Sequence, residues 1–179
     1  MDILNILNYI HIMKQLIVFI ILILMIPTVS CAQKKVNSFS SWENYEVTTI
    51  RVGVEGSKFI KVWGVGKNID KAIISAKQNA VHACIFKGLP GCANANSTPA
   101  ILRDASVVYS HEDYFSDFFA PDGDYFDYLN VITDGTPNGM DRIKVKGGYK
   151  VAIYVQVMYD SLKKRLEDDG IVKKLNHGF

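Results

Sequence analysis

Apolar and polar positions alternate from Tyr45 onward. Ile50, Val52 and Val54 are interleaved with Arg51 and Gly53, the pattern of a strand with one buried face. Glu55-Gly56-Ser57 follows as a compact turn whose glycine tolerates positive φ. Ile60 and Val62, set against Lys61, continue the alternation in a second strand. Trp63 and Val65 break it, which predicts cover on both faces near that end. The period then changes to that of a helix, with Ile69, Ala72, Ile73, Ala76, Ala80 and Ala83 on one side. Asn68 is the expected N-cap, Gly88 the residue that ends the helix, and Pro90 prevents its continuation. Alanines at this spacing allow a helix axis to lie close on a sheet.

Further on, Tyr149, Val151, Ile153, Val155 and Val157 alternate with Lys150, Ala152, Tyr154 and Gln156, the clearest strand in the chain. It is placed beside the hairpin, with its Val/Ile face under the alanine-striped helix. Ile143 to Val145 is expected to pair with it across Gly147-Gly148. A last helix, capped by Asp160 or Ser161, carries Leu162 and Leu166 and stops at Gly170. These elements predict an α+β domain over residues 44–179. Its antiparallel sheet has three to five strands, with the long helix and a C-terminal helix packed on it.

The middle of the chain differs. Between Arg103 and Arg142 there is no Lys or Arg, while nine acids and eight aromatic residues occur. Phe115, Phe118 and Phe119 have helical spacing, so 111–119 is expected to form a short helix ended by Pro121. In one reading the rings pack on the sheet and the acids face water. In a second, Tyr114, Phe115, Asp117, Phe118, Asp122, Asp124, Tyr125 and Asp127 form a partner-binding surface with an acidic rim. Calcium at Asp122, Asp124 and Asp127 is a third reading, but the spacing of a calcium loop is not met. No metal or cofactor is expected. Nine of the 20 basic residues lie from Arg142 onward, so that end is suited to face the acidic middle or an anionic membrane.

Overall composition changes little: 49% apolar, 21% charged and a net charge of +2 are ordinary for a globular chain. No run of Lys and Arg is interleaved with aromatics in the manner of a single-strand binder, so nucleic acid is set aside.

The amino end carries an address. Lys14 precedes Leu16 to Ile26, an unbroken run of eleven apolar residues, and small residues follow up to Cys31. That is the arrangement of a secretory signal, and it falls short of the about 20 residues needed to span a bilayer. Asp2, Asn5 and Asn8 suit a signal poorly, so translation is expected to begin at Met13. Thr28-Val29-Ser30-Cys31 resembles a bacterial lipobox, which implies a signal peptide over 1–31 and a palmitate-type lipid on Cys31. Residues 32–43 then form a tether. Ala32 after the cysteine favours the outer membrane, facing the periplasm; the competing route is cleavage after Ala32 to a soluble periplasmic form.

Three smaller features carry chemistry in principle. Gly64-x-Gly66 before a helix could cradle phosphate, but the third glycine and the Lys-Ser/Thr pair are missing, so a close backbone crossing is expected. His82 stands without an evident partner and is read as structural or solvent-facing. Cys84 and Cys92 lack the spacing of zinc or redox motifs; a disulfide and a pair of free thiols are both open.

Val62-Trp63-Gly64-Val65-Gly66, followed by the helix with Ala72, Ala76 and Ala80, resembles the small periplasmic domain of certain bacterial lipoproteins and of the flagellar protein FlgT. The resemblance covers about 45–88, with 149–159 added. It implies a hairpin, an alanine-rich helix and later strands in one antiparallel sheet, and a role in envelope assembly through binding other proteins. The expectation is therefore a lipid-anchored envelope protein without catalysis. The alternative is a periplasmic hydrolase or glycan-binding protein that uses the acids and rings of 109–128.

Overall fold

The computed structural model describes residues 11–16, 44–104 and 106–173. The chain divides into two units, Met1–Val36 and Asn37–Phe179. In the first, residues 11–16 are helical. The apolar run from Ile17, the lipobox with Cys31, and the 32–43 tether lie outside the described residues. Among those that are described, no helix is long and apolar enough to cross a membrane.

The second unit is α+β, with one five-stranded antiparallel sheet. Strand β1 (Val47–Val52) and strand β2 (Lys58–Gly66) form the hairpin. Glu55 and Gly56 both take positive φ at its turn, 52° and 68°, the hand that suits the twist of the two strands. Helix α1 (Ile69–His82) follows and widens into a π-helical turn over Ala83–Lys87. Asn68 caps α1, its Oδ1 accepting from the Lys71 N–H at 2.8 Å. Short helices α2 (Ser106–Ser110) and α3 (Glu112–Phe118) and a 3₁₀ turn at Asp124–Tyr128 come next. Strands β3 (Leu129–Val131), β4 (Arg142–Val145) and β5 (Gly148–Val157) complete the sheet. Helix α4 (Tyr159–Asp168) closes the domain. Its N-cap is Met158, a little earlier than the Asp160 or Ser161 expected.

β5 is central. It pairs with β2 along its length on one side. Its other side is shared end to end, by β3 opposite Val155–Val157 and by β4 opposite Gly148–Val151. The strand needs its ten residues to serve both partners.

One face of this sheet carries Ile60, Val62, Val151, Ile153, Val155 and Val157, all at most 1% exposed. α1 lies on that face, with Ala72, Ala76, Ala80 and Ala83 fully buried. Its approach requires Gly64 and Gly66. A Cβ on Gly64 would collide with the Ala76 backbone nitrogen, and one on Gly66 with that of Ala72. The Gly-x-Gly pair is therefore a close crossing of backbones, as its sequence context suggested.

Candidate functional site

The acidic middle segment does not present its rings. Phe115 is 1% exposed, Phe118 4% and Tyr125 0%, and all three belong to the main core with Leu162 and Leu166 of α4. This corrects the reading of 109–128 as an aromatic contact surface: Phe115, Phe118 and Tyr125 are core residues. The helical spacing buries one side of α3, where Phe115 packs edge-on against Phe86 at 5.0 Å. Asp117, Asp122, Asp124 and Asp127 stay exposed, as the packed reading required. Tyr114 is half-buried and donates to Asp169 Oδ2 at 2.6 Å. Arg165 bridges Asp169 at 2.6 Å and Asp124 at 2.9 Å. Two of the proposed surface residues, Tyr114 and Asp124, are thus engaged in tying the acidic segment to the end of the C-terminal helix. The alternative of a glycan or hydrolase cleft loses the same rings. Among the described residues, no group of three or more His, Cys, Asp or Glu is placed to hold a metal ion.

His82 is buried at 7% exposure, and the Tyr45 hydroxyl lies 2.7 Å from its Nδ1. Burial, with the Lys87 charge nearby, pushes the imidazole down to about 3. It is neutral at physiological pH and sits among the rings of Tyr45, Phe86 and Phe119. The same burial raises the Tyr45 phenol. A base held so far below neutrality is suited to a structural place. Cys84 is wholly buried, its thiol pushed up to about 12 by that burial, and Cys92 is half-exposed. Both thiols are free, so the disulfide is not formed in this structure.

The feature that strand patterning did not reveal is the opposite face of the sheet. Trp63 and Val65 do not interrupt the alternation. They continue it on the far side, with Gly64 and Gly66 standing in for the missing core residues. Cross-strand pairs place Phe59 beside Gln156, Lys61 beside Tyr154, Trp63 beside Ala152 and Val65 beside Lys150. Arg51 comes opposite Phe59 from β1, and Ile143 opposite Lys150 from β4. Phe59, Lys61, Trp63, Lys150 and Tyr154 on this face are half-buried and Val65 is exposed, so the cover expected on both sides is incomplete.

Its side chains interlock. The Arg51 guanidinium lies 3.5 Å from the Phe59 ring centre. The Lys150 ammonium lies 4.9 Å from the Trp63 ring centre. Lys61 lies between Trp63 and Tyr154, at 5.6 and 5.2 Å. Ala152 is fully buried beneath this layer. Asp141 pairs with Lys61 and Glu46 with Lys150 at the margins. The Asp141 contact raises the Lys61 ammonium above its usual range. Val65 and Ile143 remain 54% and 45% exposed. A platform of rings, methylene stems and cation heads results. The only signal in the sequence was the Lys/Trp/Tyr content of positions facing away from the Val/Ile stripe.

No protein-family model matches the chain, and neither a curated protein nor a solved structure does.

Proposed function

We propose that this is an exported envelope protein, held at the outer membrane by lipid on Cys31, that binds a partner protein and performs no chemistry of its own. The export signal and lipobox-like residues before Cys31 support the anchoring. The hairpin, alanine-striped helix and later strands have the order that the resemblance to periplasmic lipoprotein domains implies, and the assembly role is carried over from that resemblance alone.

The binding surface is the open face of the sheet, and the observation that carries it is the Arg51–Phe59, Lys61–Trp63–Tyr154 and Lys150–Trp63 lattice. Trp, Tyr and Arg are the residues in which the energetic centres of protein interfaces are enriched. The platform is already ordered, so little side-chain entropy is lost when it is covered. Three lattice cations outnumber Glu46 and Asp141 on this face. The partner is therefore an acidic protein segment. The cations lie against the rings, which leaves stacking on nucleic-acid bases poorly served.

The test is crosslinking in cells, comparing the native chain with Arg51→Glu/Lys150→Glu and with Asp117→Lys/Asp124→Lys. Loss of a retained protein in the first variant alone is expected. The same proteins retained by the first variant, or lost only in the second, would overturn the open-face assignment. Labelling with a palmitate analogue, absent in Cys31→Ser, tests the anchor separately.

A further inference from the structure

On the other side of the domain a cleft of about 620 Å³ runs between the segment 99–111 and the end of α4 with the residues after it. We propose that this cleft binds an anionic amphiphile, an acyl chain with an acidic head. The inference is independent of the open face and of the partner assigned to it.

The volume falls within the range of small-molecule sites. The floor is apolar and firmly seated: Ile101, Leu102, Tyr159 and Ile171 are each no more than 9% exposed. Backbone bonds from Ile101 N to Cys84 O and from Leu102 N to Ile85 O, at 3.0 and 2.8 Å, fasten it to the π-helical turn. The mouth is different. α2 buries none of its residues, and Tyr109 is 81% exposed. Its Val107 lines the cleft while only half-buried. Val107 packs against the edge of the core and stays half-buried, so apolar surface continues from the floor up this wall and fits an apolar occupant.

Charge sets the sign of the head group. The rim holds Arg103, Lys163 and Lys173, with Asp104 and Glu167. Glu167 lies 3.8 Å from Lys163, while Asp104 keeps its charge and accepts from the Ser106 N–H at 2.8 Å. Among the described residues Arg103 and Lys173 form no ion pair, and three cations against two acids leave the rim with an excess of positive charge. His111, on the same wall, bonds to Ser110 and the Val107 carbonyl.

The experiment is titration of the full-length protein with dodecanoate below its micellar concentration, followed by amide chemical shifts, beside dodecyltrimethylammonium. Saturable shifts in 99–111 and 170–173, with the cation bound about tenfold more weakly or worse, are expected. Arg103→Glu/Lys173→Glu should remove that preference, and Val107→Asp should abolish binding while the other amides keep their positions. Equal binding of both amphiphiles, or shifts centred on Trp63 and Tyr154, would overturn the site. So would binding that appears only in a chain ending at Lys173, because the chain's own last residues would then be the occupant.

Discussion

The backbone nitrogen of Ala76 stands where a side chain on Gly64 would have to go. This contact sets the distance between α1 and the sheet, and it faces away from the platform that Trp63 and Val65 help to form. Gly64→Ala therefore pushes the helix off β2 while touching nothing on the open face. We expect a loss of about 1–3 kcal/mol, the usual range for overpacking a core. Val65→Ala, one residue on, should change stability by less than about 0.5 kcal/mol. Denaturant midpoints of the two variants check this, and equal losses would mean that the helix is not limiting.

His82 gives the domain an acid-sensitive core. The folded protein holds the imidazole neutral down to about 3, whereas the unfolded chain protonates it near its ordinary 6.5. The unfolded state thus binds the extra proton first, and stability is lost as pH falls below 6.5. Between pH 6.5 and 5, above the range where most carboxylates titrate, the loss is about 2 kcal/mol. His82→Gln should flatten that part of the curve, even if it is less stable at pH 7. A native slope unchanged by the substitution would place the titration elsewhere.

Tyr125 is fully buried, and among the described residues its hydroxyl has no hydrogen-bond partner. Tyr125→Phe removes a desolvated polar group and keeps the ring. It should leave stability unchanged or raise it by up to about 1 kcal/mol. Phe115→Ala, in the same aromatic cluster, should cost about 3–5 kcal/mol. Thermal unfolding distinguishes the two, and a large loss in Tyr125→Phe would mean that the hydroxyl is bonded in solution.

The two thiols of the domain should react at very different rates. Cys92 is half-exposed, while Cys84 is enclosed and its thiol is held at about 12. Maleimide is expected to modify Cys92 in the native protein and Cys84 only after unfolding. Failure of both to react in unreduced, unfolded protein would reveal a disulfide.

Much of the fold was legible because it rests on local rules. The Val151–Val157 alternation, the alanine stripe, Asn68 as cap and Gly88 as stop each follow from neighbours in the chain. The open face was harder to see. Glycines at 64 and 66 hide the core side of β2, so Trp63 and Val65 looked like a break in the pattern. The middle segment showed the reverse problem. Its rings and acids suggested a surface, yet spacing alone could not say which side of α3 would face the core.

By itself the sequence determined the class of fold and its main elements, because each depends on periodicity, caps and turn residues. Tertiary structure decided what is presented to a partner. Lys61 and Tyr154 are distant in the chain and meet only because β2 and β5 pair in one register. Phe115, Phe118 and Tyr125 are withdrawn from solvent because they join Phe86, Phe119 and the shared core of sheet and helices, and that long-range packing leaves no local trace in the chain.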